Sequence, residues 1–489
     1  MEVLVMREDK MYRLFILFLF FVSSFLGCNQ EGSKRGNSGK QSPAATPTAT
    51  NAPNGEEPNP VDPVDLGSSA AWNCATPPTG GNLNIHQKYC AFNRELWVDF
   101  KDKYFRKDGQ HVDRWQEQGG PELWHIPDGG VVQGMLLGAY VLEYSWSKSP
   151  ESMERVKFLM QGMEILEKVT GVPGLIARCA IKKDGRTPPD WLKQEGLIYK
   201  DSAVADYIHR SDVSGDQYSG LAWGLSVAVH HGTPEVKKWA SDYAKRVVRY
   251  LEVNEWRLKV DGAQTEHGDT APTDNPLGAL GGILGIVNGM HIAKILALFK
   301  TANLVDPDPA IVESEKRFVS EWSGKGSFEV GRGALKKSDN EFQVSSNFQA
   351  LLSAAPDDTT YRKLFKDFVT NGQYLESNAF DDFALIFQVG PELGATEVEK
   401  VKKSAMNALE TFPFPKMIRN APDDRFVPSS LTTPLPVNKR VINSWSWGEN
   451  PYVEGMEPTP EAQALKHRFS PLDYITVYNM GRAYGIISE

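Results

Sequence analysis

The chain has 489 residues, 41% of them hydrophobic and 24% charged, with a net charge of −9. That composition suits a globular body with ample core material, and the length admits two or three ordinary domains or one large helical one. The acidic balance, without any lysine- and arginine-rich stripe, argues against a nucleic-acid partner.

After a short leader carrying Lys10 and Arg13, the run LFILFLFFVSSFLG from Leu14 to Gly27 is apolar for about the length of a signal-peptide core and stops at Cys28. It reads as an export signal rather than a membrane anchor; an ordinary secretory peptide and a lone membrane helix are the alternatives. Phe25-Leu26-Gly27-Cys28 resembles the bacterial lipobox, although Phe25 stands where leucine is usual. The resemblance implies that residues 1–28 are a lipoprotein signal peptide, that Cys28 is lipidated, and that the chain is held on a membrane. An outer membrane is expected, facing the periplasm or the cell surface.

Residues 29–70 are rich in Ser, Thr, Pro, Asn and Gly and nearly free of large apolar side chains. Such a segment cannot bury enough surface to offset chain entropy, so it is expected to be a disordered tether. Residues 71–489 are expected to form the folded domain. In an oxidising compartment, Cys74 and Cys90 are expected to form a disulfide across a short loop, and Cys179, in the apolar GLIARCA, to be a buried thiol.

From Ile85 onward the pattern is helix after helix. In Pro234 to Val253 the apolar residues fall at spacings of three and one, which is the mark of an amphipathic helix with a proline in its first turn. Gly129 to Trp146 and Asn275 to Phe299 are instead apolar nearly all round and rich in glycine and alanine, as expected of helices packed on every side. The second is long enough to span a bilayer, but its glycines, with His291 and Lys294 inside it, favour a buried soluble helix.

These two types alternate. Gly129 to Trp146 is followed by Pro150 to Val169, Gly215 to Val229 by Pro234 to Val253, and Asn275 to Phe299 by Pro309 to Trp322. Further helices are expected over Glu341 to Ala354, Thr359 to Thr370, Ala379 to Val389, Ala395 to Leu409, Pro471 to Ile487 and His86 to Tyr104, about twelve in all. Strand signals are few, and Ser327 to Lys336 is the best candidate for a short ribbon. Inner apolar helices paired with outer amphipathic ones, without a fixed sequence period, point to an all-α fold of the (α/α)6 toroid type rather than to a solenoid.

In a toroid the loops that enter the inner helices converge on one end of the central cavity, so polar clusters just before those helices are the candidate sites. In HIPDGG, Asp128 reads either as a helix cap or as a carboxylate on the cavity rim. In VTGVPGLIARCA, Arg178 stands alone among apolar residues and reads as a structural ion pair or a substrate clamp. RSDVSGDQYSG places Asp212 and Asp216 at a spacing of four, which on a helix brings two like charges to one face. Keeping both suggests a cation, an arginine partner, or a function that needs one carboxylate protonated. Tyr218 is the hydrogen-bonding aromatic of the same cluster.

Further along, TEHGD carries Glu266, His267 and Asp269, an acid and imidazole set suited to general acid/base work or to sugar hydroxyls. INSWSWGENPYVEG carries Asn443, Trp445, Trp447 and Glu449, where aromatic faces would stack on the C–H faces of sugar rings. The acids and histidine lack regular ligand spacing, so no metal or organic cofactor is expected beyond a structural cation such as calcium near Asp212 and Asp216.

VTGVPGLIARCA, DVSGDQYSGLAWGL, DGAQTEHGDT and SPLDYITVYNMGRAYG are similar to a group of secreted bacterial proteins of uncharacterised activity that resemble the six-hairpin glycosidase superfamily. The likeness covers most of Gly129 to Gly485. It implies the toroid and a carbohydrate-related activity, and it carries over no catalytic residue.

The leading expectation is a glycoside hydrolase acting as a monomer on a poly- or oligosaccharide. One catalytic carboxylate would come from Asp212 or Asp216 and one from Glu266 or Asp269, roughly 6.5 to 9.5 Å apart for an inverting reaction. The alternatives are a polysaccharide lyase using Tyr218 or His267 as base beside Arg178 or Asn443, and a non-catalytic glycan-binding lipoprotein.

Overall fold

A computed structural model describes residues 83–112, 114–116, 129–182, 199–201, 203–210, 213–260, 263–269, 282–322, 338–370, 379–416, 440–441, 450–454 and 467–488. The chain divides into two units, Met1–Pro60 and Val61–Glu489, and every described residue belongs to the second. Cys28, the tether and Cys74 lie outside the described residues.

The helices are α1 (Ile85–Arg94), α2 (Lys101–Tyr104), α3 (Gly129–Ser147), α4 (Pro150–Lys168), α5 (Gln217–His231), α6 (Pro234–Val253), α7 (Gly282–Asn303), α8 (Pro309–Trp322), α9 (Ser338–Ala354), α10 (Thr359–Thr370), α11 (Ala379–Leu393), α12 (Ala395–Thr411) and α13 (Leu472–Ala483). The described residues are therefore mostly helical. Local chemistry sets several starts. The side chains of Ser149 and Thr233 accept from the N–H groups of Ser152 and Val236, each just before a proline in the first turn. Asn84 and Gln87 form a reciprocal capping box at the head of α1.

The two expected helix types are both present. Every residue of α3 from Gly129 to Glu143 is buried, as is every residue of α5 from Gln217 to Val229, whereas α4, α6 and α8 bury one face each. α3 packs on α5, α4 and α13; α5 packs on α6, α7 and α9; α7 packs on α6, α8 and α9; α11 packs on α12 and α13. The contacts between α3 and α5 are close because their glycines face each other. A Cβ on Gly134 would strike the Gly220 carbonyl, and one on Gly224 the Gly134 carbonyl.

Short antiparallel ribbons decorate the loops. β1 (Arg114–Gln116) pairs with β9 (His467–Phe469), β4 (Tyr207–Arg210) lies between β2 (Cys179–Lys182) and β3 (Tyr199–Asp201), β5 (Arg257–Val260) pairs with β6 (Ala263–Asp269), and β7 (Arg440–Val441) with β8 (Asn450–Glu454). Cys179 and Tyr199 both register against Arg210.

Several expectations are corrected. The stretch expected as one helix from His86 to Tyr104 is broken, because a π-helical turn at Glu95–Asp99 separates α1 from α2. The fifth helix begins at Gln217 rather than Gly215, since Asp216 is its cap. α7 runs on to Asn303 past Phe299, and α11 continues through Pro391 to Leu393. The last helix closes at Ala483, short of Ile487. Strands are more numerous than expected because pieces of two to seven residues are too short to show a period-two pattern. The ribbon expected at Ser327 to Lys336 and the first residues of the helix expected from Asn275 lie outside the described residues. Among the described residues no helix is long and apolar enough to cross a membrane.

Candidate functional site

The heads of α3 and α5 are built as one assembly with the loop that carries Arg178. The Gly129 N–H donates to the Arg178 carbonyl at 3.0 Å, and the Gly130 N–H donates to Gln217 Oε1 at 2.8 Å. These tertiary partners satisfy donors that the sequence alone would leave to a cap such as Asp128, which lies outside the described residues. The Arg178 N–H in turn donates to the Arg210 carbonyl at 3.0 Å, tying the loop to β4.

Around Ser214 the polar groups converge. Arg178 Nη2 donates to Ser214 Oγ at 2.7 Å, and Ser214 Oγ donates to Asp216 Oδ1, which also accepts from the Gln217 N–H at 3.0 Å. Asp216 is half-buried, whereas Val213, Ser214, Gly215 and Gln217 around it are buried. From the facing helix α7, Lys294 Nζ donates to the Gly215 carbonyl at 2.7 Å. Lys294 is 1% exposed, and burial pushes its ammonium down to about 8 while the Asp216 charge pulls it back up.

Arg178 and Asp216 are thus brought together through one serine hydroxyl. Tyr218 is not part of that group, which corrects its expected role as a substrate ligand or base. Its side chain is fully buried, and its hydroxyl donates to the Gly174 carbonyl at 2.9 Å and accepts from the Ile176 N–H at 3.2 Å. Burial also pushes the phenol well above its usual range, so it is a poor base. Tyr218 pins the Pro173-Gly174 turn, where Gly174 has φ of +82° and sits against the Arg246 backbone. The Arg that follows is placed by that turn.

Other carboxylates stand at the heads of other buried helices. Asp381 and Asp382 occupy the first turn of α11, and Asp473 the first turn of α13, where the free N–H groups favour negative charge. Asp381 Oδ1 accepts from Ser345 Oγ and, at 3.2 Å, from Gln349 Nε2, whose Oε1 accepts from Trp223 Nε1 at 3.3 Å. Asp473 Oδ1 accepts from Lys416 Nζ at 3.1 Å. All three carboxylates are buried. The sequence reading missed Lys294, Asp381 and Asp382 as site candidates. The available signal was charge inside otherwise apolar helices, ILALF after Lys294 and AFDDFALIF around the pair.

The remaining candidates divide by what the structure describes. Glu266, His267 and Asp269 lie on the backbone of β6, with Asp269 paired to Arg257 across the ribbon. Asp212, Asn443, Trp445, Trp447 and Glu449 lie outside the described residues. Cys90 is disulfide-bonded, with its partner outside the described residues, and Cys179 is a buried thiol that forms no disulfide. Among the described residues no group of three His, Cys, Asp or Glu side chains is placed to hold a metal ion. Scanned against models of known protein families the chain matches none, and no curated protein matches it.

Proposed function

We propose that the chain is a membrane-anchored lipoprotein whose folded domain is an (α/α)6 toroid acting as a glycoside hydrolase on a glycan outside the cytoplasm. The helix contacts support the toroid: α3, α5, α7, α9, α11 and α13 pack in sequence, and α13 returns to α3. One observation carries the activity. Among the described carboxylates at buried-helix heads, Asp216 is held by Ser214 and the Gln217 N–H yet is still partly open to solvent, whereas Asp381, Asp382 and Asp473 are sealed. A fixed carboxylate with access to water is what a general base or nucleophile requires. Its acid partner is assigned to Glu266 or Asp269 of β6, or to Asp212. Cys28 is the lipid anchor, residues 29–70 the tether, and the enzyme a monomer on the outer membrane.

A polysaccharide lyase is the second reading, favoured by Arg178, whose guanidinium lies one hydroxyl away from Asp216 and could neutralise a uronate carboxylate. Its base would be His267, because Tyr218 is committed to the core.

The experiment is to incubate the purified full chain with a polysaccharide panel, following new reducing ends and the absorbance of unsaturated uronates. New reducing ends without that absorbance are expected, with a loss of about 100-fold or more in Asp216→Asn. Unsaturated uronates would select the lyase. Glycan binding without turnover, unchanged in Asp216→Asn, would reject both enzymes in favour of a binding lipoprotein.

A further inference from the structure

Lys294 is a lysine embedded in a helix that is buried along Ile292 to Phe299, and the hydrolase reading gives it no part. A buried ammonium is costly unless something compensates it, so its position calls for a partner. The described partner is the Gly215 carbonyl, in the peptide bond between Gly215 and Asp216, at 2.7 Å. Lys294 therefore holds, through the Gly215 carbonyl, the same three-residue turn that Arg178 holds through Ser214. Both cations act on Asp216 through the turn, one by way of a hydroxyl and the other by way of a carbonyl.

The surroundings make Asp216 the charge that matters to this amine. Among the described residues, Asp216 is an ionisable group whose field reaches Lys294, and it raises the amine that burial lowers. From α9 the buried side chains Ser345, Ser346, Asn347 and Gln349 are uncharged. Glu315 of α8 is engaged with Lys300, and Lys245 of α6 with Asp306, both toward the C-terminal end of α7. On α7 itself the other titratable side chains are His291, one turn earlier, and Lys300, nearly two turns later.

We propose that Lys294 is a positioning residue for Asp216, its protonated amine holding the Ser214-Gly215-Asp216 turn so that loss of that proton switches the site off. The regulatory part rests on Asp216 being catalytic, whereas the link between the two side chains does not. With burial pushing the amine down to about 8, the site is active below that pH and fades above it.

Two measurements separate the parts. In the full chain labelled with carbon-13 at the lysine ε position, the Lys294 signal is assigned by its loss in Lys294→Met or Lys294→Arg. It is expected to titrate near 8, and at lower pH in Asp216→Asn, because the Asp216 charge is removed. A midpoint near 10.5, or one unmoved by Asp216→Asn, overturns the link. On a glycan that the wild-type chain turns over, Lys294→Met is expected to lower kcat about tenfold at neutral pH with little change in KM, and to abolish the fall in rate above pH 8. A fall near pH 8 that persists in Lys294→Met overturns the switch. If the wild-type chain turns over no glycan, the hydrolase reading fails by itself and the titration still decides the link.

Discussion

Tyr218 is a residue whose chemistry was legible while its role was not. A tyrosine among Asp, Gln and Ser at a helix head looks like part of a binding surface, but in the folded chain its hydroxyl is shared between Gly174 and Ile176. Tyr218→Phe leaves a buried carbonyl and a buried N–H each short of a partner, so a loss of about 1–3 kcal/mol is expected in urea unfolding, with glycan turnover reduced through displacement of Arg178. Lys294 has a consequence for stability as well. Its folded value lies below its unfolded one, so between about pH 8 and 10.5 the unfolded chain holds the extra proton and stability rises with pH. Lys294→Met is expected to remove that rise, up to about 3 kcal/mol, in unfolding measured across this window. His231 behaves analogously in acid. Burial, then His230 and Lys237, push it down to about 3, so its contribution is complete above 6.5 and is lost as the pH falls toward 3. His231→Gln is expected to move the midpoint of acid unfolding to lower pH.

At the scale of elements, the outer helices were the most legible. α6 carries a proline, a cap and an apolar stripe in its own sequence, and it begins and ends where that pattern does. The heads of the buried helices were less so. α3 is apolar on all sides, so its periodicity cannot say what faces it, and its first N–H groups are satisfied by the Arg178 carbonyl and Gln217, tens of residues away. The glycines of α3 and α5 were noticed as composition, but their use is backbone contact. Gly224→Ala would drive a methyl into the Gly134 carbonyl, and a cost of about 3 kcal/mol is expected in thermal or urea unfolding. Gly485→Ala, with no neighbour within 4 Å of its Cβ, controls for crowding; its positive φ still carries a small backbone cost.

For the whole molecule the decisive contact is that of α13 with α3, which joins the last described helix to one of the earliest. α13 buries Tyr474, Ile475, Tyr478 and Met480, and Tyr474 donates to the Ile85 carbonyl at 2.8 Å. A chain ending before residue 467 is therefore expected to lose cooperative unfolding altogether, rather than to lose only the stability of one helix; a single sharp calorimetric transition in the full chain, absent from the truncated one, checks this. What the sequence determined by itself was the helical class, the two kinds of helix, and the places where polar residues interrupt apolar pattern, because these are set by local propensity and by which faces can tolerate water. Only the tertiary structure decided which of those polar residues meet. Arg178, Ser214, Asp216 and Lys294 come from a loop, a turn and a helix far apart in the chain, and no spacing encodes a hydrogen bond from Lys294 to Gly215. The same packing drew Tyr218 into the core and left Asp216 partly open, a difference of two residues that rests on which direction each side chain takes from the head of one helix.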